Sequence, residues 1–414
     1  RYLTTGSNNT ALGYTALHNN TTASNNTAVG YQAGYSTTTG TQNTYLGVYA
    51  GYATQVGVRS TYVGYAAGPN SGNTPLANSD NISMGVESLW GLTSGSYNVA
   101  LGNYALRNNN TGNTNTAVGY QAGYSNTTGQ PNNAFGYQAL YSNVTGSDNN
   151  AFGYKALTLN TGNSNNAFGH VALDANTTGG NNSAFGQATL SDNTTGQFNT
   201  ALGSNALANN TTANNNTAVG YQALLTSTTA SENNAFGKGS LQNATTGGDN
   251  SAFGVHTLHA NTTGSANVAM GHYALDANTT GANNVGIGSG ALGSQTSASF
   301  NVAVGGDAGS AVTTGYQSIF IGYGAGDLTT TGDNNIFIGH DAGNVNTTGL
   351  SNIVIGVGAD VDRVNSSYAY VIGTDCISTG TGGHITIGSG NGSNRIYNDF
   401  DVNASWTRVS DERY

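Results

Sequence analysis

An apolar side chain placed directly before a glycine recurs every seventeen residues, at Leu12-Gly13, Val29-Gly30, Leu46-Gly47 and onward to Ile355-Gly356, Ile372-Gly373 and Ile387-Gly388. Clear copies of the unit read NNTAVGYQAGYSTTTGT from Asn25 and NNAFGYQALYSNVTGSD from Asn132. About 23 copies fit between Gly13 and Gly388, and a fixed period of this size predicts a solenoid. The phase slips at a four-residue insertion around Pro69 to Pro75, at a one-residue deletion before Gly169, and at a shortened last repeat before Gly388. It is resumed each time.

The columns of the repeat predict its coil. The apolar column before the anchor glycine (Leu12, Val29, Phe135, Phe152, Ile321, Ile338) is expected to be the core, and Ala usually precedes it. Ala followed by Leu or Gly, as in Ala16-Leu17, Ala139-Leu140 and Ala342-Gly343, supplies a second apolar wall. Ten residues after the anchor comes the Gly or Ala of TTG or TTA, which suits a tight turn or a close approach of chains. Asn stands four residues before the anchor in most copies, suited to a turn or to an amide ladder along the axis.

Helix is a poor alternative, because Gly, Asn and Thr dominate and apolar residues do not recur at three and four. Strand alternation is plainest in Ile319-Phe320-Ile321, Ile336-Phe337-Ile338 and Ile353-Val354-Ile355. Earlier copies carry Thr, Asn or Ser in the first of those places, which predicts a thinner or wetter interior before about residue 268. The expected fold class is all-β: a parallel β-roll or β-solenoid over residues 1–388, a rod on the order of 110 Å at strand spacing. The insertion near 68–78 predicts a loop or a change of profile. The less periodic 389–414 predicts a neck in which Tyr397, Phe400 and Trp406 bury against sister chains.

Composition narrows this little. The 62 Gly, 3 Pro and 7% charged residues resemble low-complexity disorder, but a disordered tract has no reason to return an apolar residue at a fixed interval. The net charge of −10, with no basic run, argues against a nucleic-acid partner. One cysteine, Cys376, excludes internal disulfides and leaves the compartment undecided. No stretch has the apolar length of a membrane helix, so no membrane insertion is expected. The chain begins at Arg1 rather than Met, as a fragment or a processed product would.

No catalytic constellation emerges from the repeat. His18, His170, His256, His259, His272, His340 and His384 are scattered without a His-x-His pair or a carboxylate partner, so they read as polar filler rather than a metal site. Gly286-Ile287-Gly288-Ser289-Gly290 imitates a phosphate loop only in composition, since no helix pattern follows. Asp174, Asp192, Glu232, Asp249 and Asp276 occur singly, without glycosidase spacing. No cofactor and no metal is expected. The surface signal is tyrosine: Tyr14, Tyr31, Tyr65, Tyr120, Tyr137, Tyr154, Tyr221 and Tyr323 all follow their anchor glycines. Rings at one place per coil stack into a stripe that either binds glycans by CH–π contact or stiffens the rod, and stacking alone is the simpler reading. The paired threonines of the turn form a row reminiscent of ice-binding solenoids, but those use T-x-T, and adjacent threonines point oppositely.

Two large side chains per coil bury little apolar surface against the entropy of ordering seventeen residues. Side-by-side packing of several chains is therefore expected, with a closed homotrimer as the simplest solution. The motif N-x-A-[VLIF]-G-x-x-A also resembles the repeats of trimeric autotransporter adhesin heads, whose shorter-period coils form left-handed trimeric β-rolls. The run Asn394-Arg395-Ile396-Tyr397-Asn398-Asp399-Phe400, then Trp406-Thr407-Arg408-Val409-Ser410-Asp411-Glu412-Arg413, resembles the junction of phage tail fibres and tailspikes with the endosialidase-type intramolecular chaperone (peptidase S74). That resemblance implies trimerisation by a chaperone domain beyond Tyr414 and self-cleavage with Ser410 as nucleophile. The lysine that assists cleavage in that family lies past the last residue, and Tyr414 replaces a common leucine.

The expected function is a structural fibre of a phage tail or viral appendage. It would be extracellular on the virion, meet a host cell-surface glycan or protein receptor, and join other tail proteins. The alternative is a bacterial adhesin head on the cell surface. A fibre that hydrolyses glycans is a third reading without a paired-carboxylate signal.

Overall fold

The residues just ahead of each anchor glycine form a strand of three or four residues, such as Thr27–Val29, Asn149–Phe152 and Ile336–Ile338. A computed structural model of the chain describes residues 5–70, 78–378, 383–390, 395–399 and 407–409. It contains two units, Arg1–Thr212 and Ala213–Tyr414. In each, successive strands pair parallel at the period of the repeat, so each unit is a β-solenoid. In the first unit Thr10 faces Thr27 and Thr44 faces Thr61. In the second, Val285 faces Val302 and Ile319 faces Ile336.

The insertion is absorbed outside the strand, because Thr61-Tyr62-Val63 pairs with Ile82-Ser83-Met84 without a slip. The deletion before Gly169 is absorbed likewise, Asn150 facing Asn166. Parallel order ends at His384–Gly388, which pairs antiparallel with Arg395–Asp399, itself antiparallel to Thr407–Val409. Most of the insertion, together with Phe400, Trp406, Ser410 and the side chain of Tyr397, lies outside the described residues.

Coils are joined along the axis by backbone hydrogen bonds made at unusual dihedrals. In the coil anchored by Gly153, the residues Asp148, Lys155 and Leu157 have φ of 60°, 55° and 54°. A left-handed conformation costs a residue with a side chain about 1 kcal/mol. Here each such N–H donates to a neighbouring coil: Asp148 to Pro131 O at 2.8 Å, Lys155 to Tyr137 O at 2.9 Å and Leu157 to Ala172 O at 3.0 Å. The anchors have φ near 135°, as at Gly136 (134°). A Cβ on Gly136 would stand 2.3 Å from the carbonyl oxygen of Gly153, so both dihedral and axial contact require glycine. The turn glycines are selected by contact alone: Gly129 lacks a positive φ, but its Cβ would meet Gly146 O at 2.2 Å.

The interior corrects the expected core. From the strand Thr27–Val29 to the strand Tyr370–Ile372 the residue two before the anchor glycine points inward and is buried, as at Ala28, Ala100, Ala151 and Ala252. The large apolar residue before the anchor points outward: Leu12 is 67% exposed and Met270 47%. Side chains alternate along a strand, and the wholly buried Asn that precedes it sets the phase. The first strand place therefore also faces outward, and the change there from Thr and Asn to Val and Ile after residue 268 alters the exterior. The interior was not made more apolar by it. The second expected wall is where it was placed, with Ala139-Leu140 and Ala206-Leu207 buried.

Inside, size is matched across the coil. In most coils where the strand offers Ala, the opposite wall offers Leu (Ala134 with Leu140, Ala252 with Leu258), while Ala28, Ala117 and Ala303 stand across from Gly34, Gly123 and Gly309. Where it offers an aromatic ring, the opposite wall is glycine. A Cβ on Gly51 would lie 2.3 Å from the Tyr45 ring, on Gly68 2.5 Å from Tyr62, on Gly326 2.4 Å from Phe320 and on Gly343 2.4 Å from Phe337. Burial holds the hydroxyls of Tyr45 and Tyr62 protonated, well above the usual tyrosine range.

The remaining interior is amide. Asn250 N and Nδ2 donate to Asn233 Oδ1 at 3.0 and 3.1 Å, and Nδ2 also to Gly264 O at 2.9 Å. Its own Oδ1 accepts from Asn267. A second column, missed in the sequence, runs Asn109, Asn126, Asn143, Asn160, Asn176 and Asn193. Its amides bond Oδ1 to Nδ2, at 2.6 Å between Asn126 and Asn109. The Gly129 carbonyl receives one amide from each column, from Asn115 at 3.0 Å and Asn126 at 3.1 Å. Polar ladders of this kind, largely satisfied, supplement the small apolar core that so narrow a coil can hold.

Two outcomes are expected. Phe337→Ala costs about 3–5 kcal/mol for the cavity it leaves, and Gly343→Leu is comparably damaging because its Cβ meets the ring. The double variant restores the Ala/Leu pairing, so its denaturant midpoint should show a coupling of about 1–3 kcal/mol against the sum. The second concerns Asp360, in the place Leu takes in most coils. Its carboxylate accepts from the N–H of Val345 and of Val361, both at 2.8 Å. Burial outweighs these bonds and pushes its pKa from 3.8 up to about 6. The folded state thus binds this proton more tightly than the unfolded one. The contribution is fully present below about pH 4 and is lost as pH rises through about 6, up to about 3 kcal/mol. Melting temperatures of the chain and of Asp360→Asn across that range should differ in slope.

Candidate functional surface

Because every coil places the same position at the same point of its outline, surface side chains form ribs. The residue after the anchor gives one rib. Tyr120, Tyr137 and Tyr154 stack face to face at 5.5 and 5.2 Å, and His170 continues the stack at 5.0 Å. Tyr14 stacks on Tyr31 at 5.5 Å, and Tyr323 on His340 at 5.4 Å. Among the described residues Tyr65 is reached only edge-on, by Tyr49 at 6.0 Å. Tyr221 has no ring neighbour among the described residues. The expected stripe is therefore several short stacks, each ring about half exposed.

Two further ribs were not read from the sequence, although their offsets from the anchor are constant. Five residues after it, His18, Tyr35 and Tyr52 stack at 5.1 and 5.2 Å, and Tyr124 stacks on Tyr141 at 5.2 Å. Between Trp90 and Tyr124 the same rib is filled by Arg107, whose guanidinium carbon lies 4.8 Å from one ring and 5.9 Å from the other. Two residues after the anchor stand Tyr49 and Tyr104, the latter edge-on to Tyr120 at 6.0 Å. Arg107 Nε donates to Glu87 Oε2 at 2.8 Å. Glu87, Tyr104, Arg107, Tyr120, Gln121 and Tyr124 line an open groove of about 390 Å³.

A third face is apolar. Phe135, Phe152, Phe168 and Phe185, the outward residues before their anchors, stack at 4.6, 4.6 and 4.9 Å. Phe236 and Phe253 do the same at 5.0 Å in the second unit. The column holds no charged residue from Leu12 to Ile387.

The histidines and acids meet in small groups. His256 lies edge-on to His259 at 4.9 Å and stacks on Tyr273 at 5.6 Å. Desolvation first, then His259 and Lys238, lower the His256 pKa, while burial raises that of Asp276 beside them. Among the described residues no group of three or more His, Cys, Asp or Glu side chains is placed to hold a metal ion. The hydroxyls of the threonine row are occupied by bonds to the next coil. Thr177 Oγ1 donates to Thr194 O at 2.8 Å and Thr262 Oγ1 to Thr279 O at 3.0 Å. Among the described residues no helix is long and apolar enough to cross a membrane. Ser410 cannot be placed, since it lies outside the described residues.

Compared with protein-family models and with curated proteins, the chain matches none. Its surface chemistry must speak for it.

A stacked, half-exposed ring contributes little to folding. Tyr137→Ala should lower the denaturant-derived stability of the chain by only about 1 kcal/mol, with an unchanged far-ultraviolet spectrum. A larger loss would mean that the rib is part of the scaffold.

Proposed function

We propose that this chain is a structural fibre of a phage tail or related viral appendage, working outside the cell as a homotrimer packed side by side. The observation that carries the reading is the outward apolar column. A row of uncharged large side chains, some more than a third exposed, is a surface that a solitary soluble chain rarely keeps. Its repeat equals the coil spacing, so a second copy of the same column matches it coil for coil, and three copies close the arrangement without leaving an open face. The coil motif is shared by resemblance with adhesin heads. The tail from Asn394 to Arg413 favours the fibre, and with it the self-cleavage role of Ser410.

On this reading the chain has no enzymatic role along its coils. The solenoid repeats one outline, and the fibre holds its receptor-binding parts away from the particle or meets the host surface along its length. Light scattering of the purified chain should give three times its 41.9 kDa mass. Phe152→Asp with Phe168→Asp should shift it to the single-chain mass while the β spectrum is kept. A wild-type chain that stays monomeric at micromolar concentration removes the reading.

A further inference from the structure

We propose that the antiparallel strand Arg395–Asp399 is a stop that keeps the end of the parallel coils from joining a second copy of this chain. The last parallel strand, His384–Gly388, has one edge on Tyr370–Ile372 and gives the other to Arg395–Asp399. That second edge is built to bond. In the preceding coils the first strand residue donates its N–H to the next coil, Ile336 to Asn352 O and Ile353 to Ala369 O, both at 2.8 Å. Ile385 holds the same place, paired with Tyr370, so its N–H is directed away from the coils and toward the stop. The run Ile385-Thr386-Ile387 is β-branched throughout and uncharged, and Ile387 is 38% exposed. Left open, an edge of this composition is a template for another strand.

A second copy fits that template. The register Ile385 to Asn398, Thr386 to Tyr397 and Ile387 to Ile396 shows that the edge accepts an antiparallel partner. Two copies of Ile385–Ile387 meet antiparallel about Thr386, so that each isoleucine faces an isoleucine of the other copy, and a two-fold axis closes the pair. Charge marks the stop. Among the described residues no strand from Thr10–Leu12 to Tyr370–Ile372 contains Asp, Glu, Lys or Arg. Arg395–Asp399 contains two such residues, and Thr407–Val409 beyond it contains Arg408. Charged residues at a sheet edge oppose further pairing. Arg395 also ties the stop down, its Nη1 donating to Ile377 O in the preceding coil at 3.0 Å.

The test is light scattering of the full chain and its variants at micromolar concentration. Ile396→Pro with Tyr397→Pro removes backbone donors on both sides of the stop strand and should double the wild-type mass. Arg395→Ala, which leaves the backbone alone, should raise the mass toward double as concentration increases. Adding Ile385→Pro to the double variant withdraws the edge donor and should restore the wild-type mass. Far-ultraviolet spectra and melting curves check that the coils of each variant are intact; should the prolines disturb them, the Arg395→Ala series decides by itself. Trimer mass is read on the wild-type chain and the stop on the ratio of variant to wild type, so either can fail alone. An unchanged mass in the proline variant and in Arg395→Ala overturns the proposal. So does a doubled mass that Ile385→Pro leaves in place, or growth beyond the doubled mass.

Discussion

The structure depends on one contact, the approach of an anchor glycine to the carbonyl oxygen of the next. A single methyl group at this point would sit 2.2–2.9 Å from that oxygen in coil after coil. With the glycines in place, neighbouring backbones come close enough for the left-handed residues to turn their N–H groups along the axis. With that axial ladder in place, Leu and Lys can hold dihedrals that would otherwise be strained. The repetition of glycine is thus the condition for hydrogen bonding, and the apolar residues follow from it.

A coil drawn this tight has no room for an ordinary core. The answer is Ala opposite Leu, an aromatic ring opposite Gly, and two columns of asparagine that bond to one another and to the turn carbonyls. Buried amides are costly unless every donor finds an acceptor. The strict period provides that acceptor at the same place in most successive coils, with exceptions such as Asn20 and Asn78. The apolar side chains before the anchors are then left over, and they go outside.

How much of this was legible in the sequence differs by feature. The period, the strand, the glycine turns and the Asn ladder before the strand were legible, because each is a constant residue type at a constant offset. The direction of the strand was not. Constancy of Leu, Val, Phe and Ile before the anchor looks like burial, yet only their volume was informative: in coils whose facing wall already carries Leu there is no space for them, and Ala beside them is what fits. The buried Asn column around Asn126 and the rib through Tyr35, Tyr124 and Tyr141 were hidden by mixed composition, since Thr, Leu and Gln take the same places in other coils. The groove was hidden for a further reason, as Glu87, Arg107 and Tyr124 belong to three different repeats.

The ring-and-glycine pairs carry a consequence for how such a chain changes length in evolution. Tyr45 rests against glycines in its own coil and the one before, Gly51 and Gly34, and Phe320 likewise against Gly326 and Gly309. Duplicating or deleting one unit within a tract of alanine-and-leucine repeats joins compatible neighbours. The same recombination at a tyrosine or phenylalanine boundary sets a ring against a leucine. Growth by unequal crossing-over is therefore permitted in the alanine-and-leucine tracts and barred at the aromatic ones, which act as fixed landmarks in a gene otherwise free to stretch.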